Sequence, residues 1–116
     1  MLRRFMTRVA ASGVLGPVGR GMHEKLIRAL DPIVLELDDQ TEKHRGHAGA
    51  PKDRVETHFF LTVVAAKFNG LTLLRRHRLV YEALHEEMEE HVHALRILAM
   101  TPDEWEDYSP SDFDLS

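Results

Sequence analysis

Two short histidine clusters are the residues of this chain best equipped to do chemistry. His44-Arg45-Gly46-His47 sets two imidazoles three residues apart, in a stretch with the glycines and proline of a loop. His91-Val92-His93 sets two at i and i+2, which point to the same side of an extended strand and could chelate together. Each also has a plainer reading. The first pair is what a polar, solvated loop contains, and His93 suits a strand-start histidine bonded to backbone. A zinc site wants a third ligand and an evident close pair, and neither cluster supplies both. His58 and His77 read as structural hydrogen-bonding residues, and His23 and His85 as surface residues. The chain has no cysteine, which removes disulfides, zinc ribbons, thiol nucleophiles and all-cysteine iron–sulfur sites. Any metal must sit on histidines or carboxylates, or share ligands with another protein.

The third cluster is cationic. Arg75-Arg76-His77-Arg78 follows a turn and opens a helical stretch, where arginine opposes the helix macrodipole; that placement points to a use other than helix stability. It reads as a surface for a protein partner, with a DNA-reading helix as the alternative. The acidic stretch that follows disfavours a broad phosphate-binding surface. No Walker loop, dinucleotide fingerprint, Gly-x-Ser-x-Gly or His-Glu-x-x-His is present, and the glutamates of 82–90 suit a solvated helix face, so nothing argues for an enzyme.

The elements that must position these residues fit one domain. The chain has 116 residues, 43% hydrophobic and 29% charged, and no apolar run long enough to cross a membrane. Met22, Leu26, Ile27 and Leu30 sit at helical spacing within Gly21–Leu30, closed by Asp31-Pro32. Ile33 to Leu37 predicts a short strand, and His58 to Phe68 a central strand apolar on both faces, followed by an Asn69-Gly70 turn. From Leu71 the period becomes helical, with Val80, Leu84 and Met88 on one side. Val92 to Met100 returns to alternation. Thr101-Pro102-Asp103-Glu104-Trp105 then has the form of a capping box opening a last short helix, with Trp105 closing the core. The predicted class is α+β in the order α-β-β-α-α-β-α. The 18 residues from Gln40 to Thr57 are long for a structureless connection and point to function or disorder.

The net charge of −4 is unevenly placed: residues 1–20 carry four arginines and no acid, while residues 101–116 carry six acids and no base. The head, with Leu2, Phe5, Met6 and Val9 on one face of a helix, has the composition of a mitochondrial transit peptide; a disordered leader is the alternative. The expected organisation is a basic leader over 1–20, a folded domain over 21–107 and an acidic, frayed tail over 108–116.

Taken together, His58-Phe59, Val63-Val64, Phe68-Asn69-Gly70, Leu74-Arg75-Arg76-His77-Arg78-Leu79-Val80-Tyr81, Val92-His93-Ala94-Leu95 and Thr101-Pro102-Asp103-Glu104-Trp105 closely resemble the BolA family, in order and spacing, from about Met22 to Trp105. The resemblance implies a class II KH-like fold, a three-stranded mixed sheet with helices on one face. A KH domain clamps nucleic acid with Gly-x-x-Gly between two helices. Here Gly46-His47-Ala48-Gly49 falls in a strand–strand loop and Gly16-Pro17-Val18-Gly19 in the leader, so a KH clamp on RNA is not expected. The resemblance further implies a non-enzymatic iron–sulfur assembly or transfer factor that shares a [2Fe–2S] cluster with a monothiol glutaredoxin, which brings a cysteine and glutathione, and that serves iron–sulfur client proteins. His93 would be one ligand and a loop histidine, His44 or His47, the other, a Rieske-like substitution of imidazole for thiolate that raises the reduction potential and makes the site pH-sensitive. Arg76, His77 and Arg78 would meet the partner. The implied compartment is the mitochondrial matrix if the leader is a transit peptide, otherwise the cytoplasm. The alternative function is a DNA-binding transcriptional regulator of the bacterial type, against which organellar import and the net −2 of residues 21–100 both weigh.

Overall fold

The computed structural model describes residues 15–41 and 56–108, together with the backbone of Arg8–Ala11. The elements run β1 (Arg8–Ala11), α1 (Pro17–Leu30), β2 (Val34–Asp39), β3 (His58–Val64), a 3-10 turn (Ala66–Phe68), α2 (Leu73–Ala83), α3 (His85–Glu90), β4 (Ala94–Met100) and α4 (Pro102–Asp107). The expected α-β-β-α-α-β-α order is present with one strand ahead of it. β2, β3 and β4 form the mixed sheet, compatible with a KH-like arrangement: β2 runs antiparallel to β3, and β3 parallel to β4. Arg8–Ala11 adds a fourth strand, parallel to β2, with Arg8 opposite Val34 and Ala11 opposite Leu37. The helical face expected through Val9 therefore gives way to extended backbone, because the outer edge of β2 offers unpaired amides and carbonyls that a four-residue strand can satisfy. The rest of the expected leader helix, residues 1–7, lies outside the described residues.

One face of the sheet carries the core. Leu35, Leu37, Phe59, Leu61, Val63 and Ala99 meet Met22, Leu26 and Leu30 of α1, Phe68, and Val80 and Leu84 of the α2–α3 stretch. β3 is the central strand, and its last four residues are buried whichever way they point, as its two-sided apolar pattern requires. The opposite face holds a smaller cluster of Val34, Val64 and Met100 under Trp105 and Tyr108. Trp105 thus closes this second cluster rather than the main core, and α4 departs from the one-sided arrangement of the other helices. The capping box is as expected: the Thr101 hydroxyl accepts from the Glu104 amide, and the Glu104 carboxylate accepts from the Thr101 amide. Among the described residues no helix is long and apolar enough to cross a membrane.

α1 begins at Pro17, four residues before its apolar periodicity, and the cause is distant in sequence. The buried Glu56 carboxylate accepts from the Gly19 amide at 2.8 Å and the Val18 amide at 3.2 Å, capping the helix from 37 and 38 residues away. A negative group at this position satisfies orphan amides and suits the helix dipole. Glycine leaves room for this approach: a Cβ on Gly16 would make the Glu56 carboxylate shift, and one on Gly19 would press on the Leu15 side chain. Gly16-Pro17-Val18-Gly19 therefore forms the start of α1, and its amides hold the chain's own carboxylate.

Arg76 corrects another expectation. It is 7% exposed, and four of its five donors are engaged inside the fold: Nε donates to the Leu71 carbonyl, Nη1 to the Ala99 carbonyl and to Glu104 at 2.7 Å, and Nη2 to the other Glu104 oxygen at 3.1 Å. It staples α2 to the end of β4 and to α4, and its planar fork is not available to a partner.

Two stability predictions follow from these contacts. Glu56→Ala lowers the unfolding free energy by about 2 kcal/mol, because two amides of α1 lose their acceptor; Glu56→Gln loses less. Urea unfolding checks both. Arg76→Ala costs about 2 kcal/mol at neutral pH, less than a fully buried pair because Glu104 stays half exposed to water. The Arg76 guanidinium, then the Thr101 amide, hold the Glu104 carboxyl below its ordinary 4.5. A carboxyl lowered in the folded state stabilises the fold above its unfolded value and ceases to as pH falls through the folded one. The gap between wild type and Arg76→Ala is thus full at neutral pH and narrows as pH drops below about 4.5; a gap constant down to acid unfolding would refute the assignment.

Candidate functional site: a histidine corner at the start of two parallel strands

The site begins with the strand pairing. Because β3 and β4 are parallel, their first residues lie at the same end of the sheet, with His58 opposite Ala94. His93, one residue before β4, is exposed, and its amide donates 2.8 Å to the Thr57 carbonyl, which also accepts from Ala94. Its ring centroid lies 5.6 Å from that of His58, tilted by 46°. His58 is half-buried, and its Nδ1 is 2.8 Å from the Thr57 hydroxyl. Two imidazoles therefore stand at one corner, on main chain tied by ladder bonds.

The same corner is where the long β2–β3 connection leaves and returns. Thr41, buried, accepts through its hydroxyl from the Thr57 amide at 3.0 Å and the His58 amide at 3.2 Å. Its own hydroxyl and amide both donate to Asp39. The Gln40 amide donates to the His58 carbonyl at 2.7 Å. On the returning side, Glu56 is anchored in α1. These contacts bring the two ends of the connection beside His58 and His93. His44 and His47, the expected loop ligands, lie outside the described residues. Among the described residues no three histidine, cysteine, aspartate or glutamate side chains come close enough to hold a metal ion by themselves.

The expected partner residues divide. Arg76 is internal, as above. Arg78 is exposed and His77 half-buried on α2, and Arg75 is exposed one turn earlier. Arg75 and Arg78 line an open depression of about 350 Å³ with Leu71, Leu79 and Glu82. Leu73 and Leu74 are 63% and 60% exposed and Tyr81 is 40% exposed, so α2 presents an apolar and cationic outer surface. His91, the other member of its expected pair, is exposed 3.9 Å from Glu90. The i, i+2 relation with His93 does not place both on one strand face, because β4 starts only at Ala94. The residue that sequence reasoning passed over is His58. The available signal was register: a parallel strand after a crossover brings the residue before β4 to the first residue of β3.

Comparison with known proteins agrees with this geometry. The family model described as BolA-like protein matches residues 26–104. The chain is 49% identical over 98 residues to BolA-like protein 1 of Bos taurus, covering 84% of this chain and 69% of that one. Its structure resembles the BolA domain of SufE1 from Arabidopsis thaliana, with a TM-score of 0.69 and 44% identity over 78% of this chain and 99% of that domain. The matched stretch spans 25% of the length of SufE-like protein 1 of Arabidopsis thaliana. The DNA-binding transcriptional regulator BolA of Escherichia coli is 39% identical over 73% of this chain and 76% of its own length. With the α+β order, the mixed sheet and the Thr101–Glu104 capping box all in the places the motifs require, the chain belongs to the BolA-like protein family.

Proposed function

We propose that this protein is a non-enzymatic factor that receives and passes on a [2Fe–2S] cluster, shared as cargo with a monothiol glutaredoxin that contributes a cysteine and glutathione. The observation that carries the reading is the exposed His93, held on ladder-bonded main chain beside His58, at the corner where the loop bearing His44 and His47 begins and ends. The donor set fits a shared site. This chain offers imidazoles and no thiolate, and histidine in place of cysteine at one iron is the Rieske pattern. Thr57 supports the arrangement: its hydroxyl lies at Nδ1 of His58, an outer contact of the kind that orients an imidazole, and its carbonyl fixes the main chain of His93. Cluster delivery to iron–sulfur client proteins, and import into the mitochondrial matrix on the arginine-rich head, belong to the same reading.

The test is an anaerobic visible circular dichroism titration, adding this protein to a [2Fe–2S]-loaded monothiol glutaredoxin with glutathione. A new spectrum that saturates at one to one is expected. His93→Ala abolishes it, and of His44→Ala and His47→Ala only the one that removes the loop ligand does. An unchanged spectrum on adding the wild-type chain overturns the reading. Cytosolic retention of a tagged full-length chain would separately remove the import step.

The second reading is DNA binding, favoured by the exposed Arg75 and Arg78 at the start of α2 and by the name of the Escherichia coli relative. It requires an affinity that falls steeply with salt. Failure to bind duplex DNA at low ionic strength excludes it.

A further inference from the structure

The histidine corner has a capacity that needs no second protein. His58 and His93 enter it from different strands, with ring centroids 5.6 Å apart and planes tilted by 46°. Two imidazoles that share one metal ion have few separations open to them. With metal–nitrogen bonds of about 2.0–2.1 Å, each ring centre lies about 3.2 Å from the ion, so the two centres stand about 5.2 Å apart at the tetrahedral angle and about 6.4 Å apart at most. The observed separation falls within that range.

We propose that His58 and His93 together bind one divalent transition cation, of the class that takes imidazole, on this chain alone. Three observations carry it besides the ring separation. The main chain of both residues is fixed before any ion arrives: the His58 amide donates to the Thr41 hydroxyl, the His58 carbonyl accepts from Gln40, and the His93 amide donates to the Thr57 carbonyl. Binding therefore orders the exposed side chain of His93 and little else. The Thr57 hydroxyl lies 2.8 Å from Nδ1 of His58. With Nδ1–H donating to that hydroxyl, Nε2 is the coordinating nitrogen, and an outer contact of this kind holds a metal-bound imidazole in its orientation. The donor set chooses the ion: neutral imidazole suits zinc, copper and nickel, whereas magnesium and calcium take oxygen. Among the described residues no third histidine, cysteine, aspartate or glutamate completes the set, so water fills the remaining positions and the site is weaker than a four-ligand structural zinc. His91 is not a member: it is exposed, 3.9 Å from Glu90. The inference stands apart from cluster sharing, which takes His93 with a loop histidine and needs a glutaredoxin.

The test is a titration of the full chain with Zn²⁺ alone, in metal-free buffer without glutathione, read by calorimetry and by the ring-nitrogen resonances of the histidines. One equivalent binds, and the rings of His58 and His93 shift together with the same midpoint. His58→Asn and His93→Asn each weaken binding about tenfold or more. The double variant binds no more weakly than either, because a chelate is lost with its first arm. His93 is exposed, so its variant keeps the fold, which the amide spectrum checks. Replacing His44 and His47 together by alanine, or His91 by alanine, leaves the affinity unchanged. No saturable binding, ring shifts confined to other histidines, binding lost with His44 and His47, or an affinity unmoved by either asparagine substitution each overturns the proposal. With no glutaredoxin or cluster in the cell, none of these results bears on cluster sharing.

Discussion

The parallel pairing of β3 with β4 decides where the chemistry of this protein lies. Two parallel neighbours cannot be joined by a tight turn; the chain must cross back over the sheet, and here α2 and α3 make that crossover. The return brings the residue before β4 to the end where β3 began. His93 thereby arrives beside His58, although 34 residues of chain separate them and neither sits on a motif that predicts the other. An antiparallel β4 would place His93 at the far end of the sheet, beside Val64. Because β3 is buried on both sides along its last four residues, its register is tightly specified, and so is the position of the histidine corner.

Two long-range polar contacts complete the frame, and both use a carboxylate where the local chain cannot help itself. α1 opens with glycine and proline, neither of which supplies a capping side chain, so its amides take Glu56 from the residue pair just before β3. The same contact ties down the returning end of the β2–β3 connection, while Thr41 ties down the departing end. At the other end of the sheet, Arg76 joins α2 to the carbonyl of Ala99 and to Glu104, so that one guanidinium orients α2, β4 and α4 together. Arginine near the start of a helix is unfavourable by itself. Its cost here is offset by a bidentate carboxylate and two backbone carbonyls.

What could be read in the sequence was whatever depends on period and on neighbours. The two-sided apolar pattern of β3, the switch to helical spacing after Gly70 and the Thr101–Glu104 box are local signals and each is present, although the strand expected to run to Phe68 ends at Val64 and Ala66–Phe68 forms a 3-10 turn. The start of α1 was not legible, because its cap is 37 residues away and a glutamate in a loop has no periodicity. Arg76 was read with Arg75 and Arg78 as one cationic surface. Three arginine-bearing positions within four residues look alike in sequence, yet a helix turns each by about 100° and sends Arg76 inward. Arg8–Ala11 was read as helical from its arginine and apolar spacing, and the free edge of β2, a feature of the folded sheet alone, gave that backbone a partner. Sequence patterns of this kind cannot separate a staple from a binding residue; burial does.

A chain without thiolates that keeps its imidazoles on rigid main chain at an accessible corner is suited to completing a metal site supplied from outside. The proposed cluster sharing has that logic. His93 is exposed, yet its backbone is fixed through the Thr57 carbonyl, so the entropic cost of ordering a ligand falls on the side chain alone. Thiolates from the other protein would complete the site, and the imidazoles would lower the negative charge at one iron and raise its reduction potential. The outer surface of α2, cationic and apolar, would offer a further face for recognition.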